Sequence, residues 1–295
     1  MNIKPSYKSG YVAIVGKPNA GKSTLMNQIL GSKLSIATHK PQTTRHQVIG
    51  IHSTEDAQVI FLDTPGLINP KYELQKAMMR FVEKAEKEAD IILFIVDVNE
   101  KNIPEHAFEE LGKFKKPILL IINKIDISQQ EHAIKLSEEL NERFSFTKTV
   151  FISALVGQGV EGLLEEVSKL LPLGPPFYPD DILSEHPVRF FVSELIREQL
   201  FLQYHEEIPY SCTVEVIQYE ERDDLDYVNA EIIVNRASQK GMIIGKGGKA
   251  IKMLGSKSRE SIEAFIDKKV FLDLHVKVRD KWREKEGMVR NFGYN

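Results

Sequence analysis

Between residues 11 and 154 the chain alternates short apolar runs with charged stretches of helical period. YVAIVG (11–16), AQVIFLD (57–63), ADIILFIVDV (89–98), PILLIIN (117–123) and KTVFISA (148–154) are continuous enough in apolar residues to be strands buried on both faces. QVIGIHS (47–53) lies close enough to the run at 57–63 to pair with it as an antiparallel hairpin. Amphipathic helical patterns separate the rest, for example EHAIKLSEELNERF (131–144). This predicts an α/β domain whose sheet is mixed but mostly parallel, with helices on both faces.

The pattern breaks at LPLGPPFYPD (171–180), which has four prolines in ten residues. Such a stretch stops helices and stiffens a spacer. Beyond it VRFFVSELIREQLF (188–201) has helical period, and TVEVIQYEER (213–222) and YVNAEIIVNR (227–236) alternate like paired strands. IIGKGGKAI (243–251) opens a further helical pattern, and VFLDLHVKVRD (270–280) alternates again. The predicted order is α-β-β-α-α-β, an α+β domain with a Gly/Lys loop between two helices. The expected divisions are 1–171, a Pro-rich linker at 172–183, a second domain at 184–281 and a basic, partly helical tail at 282–295.

Composition supports two soluble globular domains: 295 residues, 42% hydrophobic and 27% charged. A single cysteine, Cys212, excludes an intrachain disulfide and fits a reducing compartment. The apolar runs are too short to cross a bilayer and MNIKPSYKSG carries no signal-peptide core, so a cytoplasmic location is expected. The net charge of −3 conceals an asymmetry. Residues 181–234 hold 3 Lys+Arg against 13 Asp+Glu, whereas residues 235–295 hold 15 against 7. A basic final segment points to nucleic acid at that end, although charge alone is also what a solvated face shows.

GKPNAGKS (16–23) fits G-x-x-x-x-G-K-[ST] and stands between a predicted strand and helix. Gly16, Lys17, Pro18, Asn19, Ala20, Gly21, Lys22, Ser23 and Thr24 form the loop, whose N–H groups (Pro18 has none) would wrap phosphates at the positive end of a helix. Lys22 can reach the outer phosphates and the Ser23 hydroxyl can ligate Mg²⁺. DTPG (63–66) ends an apolar strand, placing Asp63 to hold Mg²⁺ through water and the Gly66 amide to meet a γ-phosphate. NKID (123–126) ends another. The Asp126 carboxylate accepts from both the ring N–H and exocyclic amine of guanine; adenine offers neither donor and would leave a buried Asp126 unpaired. Asn123 can support the purine edge and brace the phosphate loop, and Lys124 is a further candidate nucleotide-binding residue. In SAL (Ser153, Ala154, Leu155) the Ala154 amide can donate to guanine O6. PQTTR (41–45) fills the intervening loop, where Thr43 or Thr44 would close on Mg²⁺ and the γ-phosphate.

These motifs, in this order and strand context, resemble the translation-factor class of GTPases. The resemblance implies a GTP/GDP switch in which Lys22, Thr44 and Gly66 act on the γ-phosphate, Ser23, Thr44 and Asp63 serve Mg²⁺, and Thr44 is favoured over Thr43. The position after Gly66 is Leu67, where Ras-like proteins have a water-orienting Gln, so slow unaided hydrolysis is expected. Arg45 lies in the same loop, but no sequence feature makes it an arginine finger. Similarity to GTPases with a hydrophobic residue at the Gln position implies Asn19 as a candidate K⁺ ligand, a cation replacing an arginine finger.

IIGKGGKAI has three readings. Gly245-x-Gly247-x-x-Ala250 with Asp267 downstream fits a dinucleotide fingerprint, but that needs a strand immediately before the loop and a βαβ unit around it. A plain helix–helix turn is the second. The third is a KH domain, whose GxxG loop between two helices clamps about four nucleotides of single strand. Ile244, Gly245, Lys246, Gly247, Gly248, Lys249 and Lys252 would then face nucleic acid, with Met242, Ile243, Ile251 and Leu254 as core or groove and Lys257 and Arg259 extending the basic surface. A GTPase domain followed by a type II KH domain closely resembles the Era family of bacterial GTPases. That resemblance implies a monomeric GTP-controlled factor in small (30S) ribosomal subunit assembly that binds single-stranded rRNA near the 3′ end. It also implies partial peripheral association with the inner face of the cell membrane. A GTPase coupled to another RNA process, such as tRNA modification, is the alternative, and a passive RNA-binding protein with a degenerate nucleotide pocket is a third class.

Overall fold

The computed structural model describes residues 4–100, 103 and 105–294. By their contacts the residues fall into two compact units, one of residues 1–37, 44–69 and 79–185, the other of 38–43, 70–78 and 186–295. The first half of the chain runs β1 (Lys8–Val15), α1 (Lys22–Leu30), β2 (Val48–Ser53), β3 (Ala57–Asp63), α2 (Glu73–Glu88), β4 (Ile91–Asp97), α3 (Glu105–Leu111), β5 (Ile118–Asn123), α4 (Gln130–Arg143), β6 (Lys148–Phe151) and α5 (Val160–Leu170). The sheet order is β2-β3-β1-β4-β5-β6. Only β2 is antiparallel, paired with β3 as the expected hairpin; every other neighbour is parallel.

The parallel strands are apolar throughout because both of their faces are covered. Ile92, Phe94, Leu120 and Ile122 are among the buried residues of one core cluster, each contributing about 1.5–3 kcal/mol on leaving water. α4 shows how a helix meets that core: Ala133, Leu136, Ser137 and Leu140 are its buried positions, spaced i, i+3, i+4, i+7 along one face.

The segment expected as a linker is fastened along its length to the first unit. Gln58 is fully buried. Its Oε1 accepts from the Phe177 and Tyr178 amides at 2.7 and 3.0 Å. Its Nε2 donates to the Tyr178 carbonyl at 2.8 Å and to Ser53 Oγ at 3.0 Å. Ser9 Oγ donates to the Pro175 carbonyl, the Ile51 amide to Leu183, and Ser184 Oγ to Ile49. A proline-rich chain has few N–H donors of its own, so its carbonyls take donors from the sheet edge.

The remaining elements are α6 (Val188–Gln203), α7 (Ile208–Ser211), β7 (Cys212–Glu220), β8 (Asp226–Val234), α8 (Ala237–Ile244), α9 (Lys249–Ile266), β9 (Val270–Val278) and α10 (Glu286–Asn291). In the sheet β7-β8-β9 the first pair is antiparallel and the second parallel. This is the predicted α-β-β-α-α-β order, with one-turn α7 as an addition. Val192, Ile196, Val228, Ile232, Leu254 and Ile262 belong to its core. The basic tail is anchored by apolar groups: buried Trp282 donates to the Ser211 carbonyl at 2.9 Å, and Tyr294 Oη lies 3.0 Å from Thr213 Oγ1. Among the described residues no helix is long and apolar enough to cross a membrane.

Candidate nucleotide site and nucleic-acid loop

GKPNAGKS joins β1 to α1 in the middle of the sheet. Its glycines are required by packing. A Cβ on Gly16 would lie 2.3 Å from the Ile95 carbonyl oxygen, and one on Gly21, whose φ is +103°, would lie 2.1 Å from the Asn123 side-chain nitrogen. DTPG folds onto the same loop: the Leu67 amide donates to the Gly16 carbonyl at 3.0 Å, and a Cβ on Gly66 would meet the Pro18 nitrogen at 2.6 Å. The Leu67 side chain packs against the apolar core, so it supplies no hydrogen bond to a reacting water.

Lys22 is buried, and its ammonium donates to the Gly16 and Lys17 carbonyls at 3.1 and 2.8 Å. Burial pulls its pKa down to about 8, against the opposing charge of Asp63. Lys17 pairs with Glu100 at 3.0 Å. Ser23 Oγ donates to Asp63 Oδ2 at 2.7 Å and lies 2.8 Å from Thr44 Oγ1. Of the two candidate threonines, it is Thr44 whose hydroxyl meets Ser23, which in turn bonds Asp63. Asp63 is fully buried, and its second oxygen, Oδ1, has no hydrogen-bond partner. Burial raises its carboxyl above the ordinary range, outweighing the Ser23 hydrogen bond, the Lys22 charge and the nearby Ser35 hydroxyl. A buried carboxylate oxygen left unpaired beside two hydroxyls is a donor set that a hard divalent cation fits.

Asn123 ties three segments together. Its Nδ2 donates to the Ala20 carbonyl at 2.8 Å and its Oδ1 accepts from the Ala154 amide at 2.9 Å. The expected brace on the phosphate loop is present. That second bond also fixes the loop that carries the Ala154 amide, the donor expected to meet guanine O6. Ser153 is buried, its hydroxyl without a partner among the described residues, and Leu155 is exposed. Asp126 is exposed and sits in the 3₁₀ turn after Lys124, outside the sheet. Lys124 has a left-handed backbone (φ 68°) and an ion pair with Asp97 at 2.5 Å. The sequence reading missed Asp97; its place at the end of β4, opposite Asn123 in register, was the available signal.

In the second loop, α8 and not a strand precedes Gly245, so the dinucleotide fingerprint is excluded. Gly245, Gly247 and Gly248 have φ of 70°, 60° and 74°, a region glycine enters without penalty. A Cβ on Gly247 or Gly248 would meet nothing within 4 Å. Lys246, Lys249 and Lys252 are exposed, and no acidic partner reaches them among the described residues. Ile243 and Leu254 are core, Ile244 and Ile251 pack on it, and Met242 and Met253 stand exposed beside the loop. Met253 was not singled out from the sequence because the helical period alone does not give its exposure.

Fold and site together define a P-loop GTPase domain followed by a KH domain. A family described as "50S ribosome-binding GTPase" matches residues 11–124, and one described as "KH domain" matches 207–283. The chain is 42% identical over 293 residues to GTPase Era of Carboxydothermus hydrogenoformans, covering 98% of each. It is similar, with a TM-score of 0.94, 39% identity and coverage of 98% and 99%, to a crystal structure of Era in complex with MgGDPNP and nucleotides 1506–1542 of 16S ribosomal RNA. A structure of an Aquifex aeolicus Era variant bound to GDP and aluminium fluoride gives a TM-score of 0.93 at 39% identity, covering 97% and 99%. The chain belongs to the Era family of GTPases.

Proposed function

We propose that this GTPase is a switch whose nucleotide state gates binding of single-stranded rRNA by the KH domain, in the service of small-subunit assembly. The observation that carries the switch is the Ser23–Thr44–Asp63 group. Thr44 comes from the loop between α1 and β2, so a Mg²⁺ held by Ser23 and Thr44, with Asp63 behind, would link that loop to the γ-phosphate. Mg²⁺ bound there would offset charge on the transferred phosphoryl group. Lys22 would leave the Gly16 and Lys17 carbonyls for the outer phosphates, and Asp126 would select guanine. On the second loop, three lysines without acid partners among the described residues, and open space above Gly247 and Gly248, suit a phosphate backbone.

The matching GTPase family is described by the 50S subunit, whereas the similar Era structure holds 16S RNA. We favour the small subunit because the latter similarity spans almost the whole chain, KH domain included, while the former stops at residue 124. With Leu67 turned to the core, a K⁺ held with the help of Asn19 is the charge compensation we propose; equal hydrolysis rates in K⁺ and Na⁺ buffers would remove it. The gating is tested by measuring affinity for a 16S 3′-end oligonucleotide in the GDP and GTP-analogue forms. Different affinities are expected, and equal ones would sink the gating, since a ligand shifts an equilibrium only through differential affinity.

A further inference from the structure

Lys124 stands where non-glycine residues rarely do, with φ 68°, and such strain persists only where the surroundings hold it. Asp97 provides part of that hold. It closes β4 in register with Asn123 at the end of β5. Its Oδ1 accepts the Asn99 amide at 2.9 Å, which fixes the carboxylate, and its Oδ2 meets Lys124 Nζ at 2.5 Å. The two side chains are only 24% and 34% exposed. The methylene stem of Lys124 therefore runs from the end of β5 to the end of β4. It crosses the carboxyl edge of the sheet, where open α/β sheets bind ligands. Left untied, a lysine stem samples many rotamers; tied at its head it is a fixed apolar wall two residues from Asp126.

We propose that Asp97 is a positioning residue for the guanine nucleotide: it anchors Lys124 so that the lysine stem covers one face of the purine. The inference rests on the nucleotide-site reading above. Asp97 touches no reacting atom, so it sets how long the nucleotide stays and leaves base choice to Asp126.

The test is a double-mutant cycle on GDP release, followed by stopped flow with a fluorescent GDP, using the full chain with Asp97→Asn, Lys124→Ala and both. Asp97→Asn keeps an acceptor for the Asn99 amide and loses only the charge. It should speed release roughly fivefold, with the preference for GDP over XDP unchanged. In the Lys124→Ala background the same substitution should add almost nothing, because coupled residues are non-additive. Asp97→Glu, which retains the charge, should restore part of the slow release. An equal effect of Asp97→Asn in both backgrounds would show a merely structural role and overturn the proposal. So would unchanged release in Asp97→Asn while Lys124→Ala is fast. If Lys124→Ala itself released GDP at the wild-type rate, the nucleotide-site reading of Lys124 would fail, and the inference with it.

Discussion

The two Gly/Lys loops use glycine for different physical reasons. In GKPNAGKS the glycines are surrounded: backbone or buried side-chain atoms stand within 2.3 Å of where a Cβ would go on Gly16 and Gly21. In GKGG, Gly247 and Gly248 have left-handed backbones and empty space around them. The first loop is a packed part of a core, with no room for side chains at Gly16 and Gly21. The second is an exposed surface whose glycines leave room for an incoming chain. One is suited to holding a ligand between elements of its own unit, and the other to tracking a ligand much longer than itself.

That contrast is broken most forcefully at Gly16. Gly16→Ala should destabilise the first unit by about 3 kcal/mol, because the Ile95 carbonyl cannot yield as a side chain could. Labelled-GDP binding and the melting temperature should fall together. A variant that kept both would mean that the loop is not packed as described.

A second contrast lies in two buried carboxylates. Asp226 is satisfied: Lys268 at 2.6 Å, Tyr219 Oη at 2.8 Å and the Arg222 amide at 3.2 Å surround it. Burial would raise its pKa, but these partners outweigh it and hold the carboxyl below the ordinary range. Its stabilisation is thus present above the unfolded value near 3.8 and lost as pH falls through the lower folded value. Asp226→Asn should cost about 2 kcal/mol at neutral pH. In urea unfolding of the full chain, the gap to wild type should close below about pH 4. Asp63 is the reverse. Its folded value is raised by burial, so its charge costs stability above that value and costs nothing once both states are protonated. Asp63→Asn should leave the nucleotide-free protein as stable as wild type or more so, while weakening Mg²⁺-dependent GTP-analogue binding roughly 10- to 100-fold. A loss of stability in the free protein would show that its Oδ1 is not the uncompensated atom it is here.

What could be foreseen divides along the same line. Strands β3, β4 and β5 were legible because burial on both faces demands continuous apolar runs, and the phosphate loop because its geometry permits few residues. The KH order was legible from alternation followed by helical period. The fastening of 172–185 was not. It depends on Gln58 bonding the backbone of residues about 120 positions away, and backbone partners leave no mark on the side-chain pattern. The Ala154–Asn123 bond was hidden for a related reason. Sequence shows that an amide can donate, but that the Asn123 side chain stands within its reach depends on where β5 and the loop after β6 end. Asp97 was passed over because a lone acid at a strand end is ordinary until the lysine it holds is seen.

The finest test of the two-loop contrast is a pair of substitutions at Gly247. Alanine there meets no atom within 4 Å, so its cost is confined to the left-handed φ of 60°, about 1 kcal/mol. Aspartate adds a carboxylate beside Lys246 and Lys249, and its backbone cost at that φ is no greater than alanine's. If the loop tracks phosphates, both variants should melt within a few degrees of wild type and hydrolyse GTP at the wild-type rate. Alanine should weaken binding of a 16S 3′-end oligonucleotide only slightly, and aspartate by roughly tenfold or more, most strongly at low salt. Crosslinking to cellular RNA should follow the same ranking. Should alanine and aspartate prove equally harmful, shape and not charge governs the loop, and the three lysines are a solvated surface. Should aspartate impair GTP hydrolysis as well, the two loops are not separate sites, and the contrast between them fails at its root.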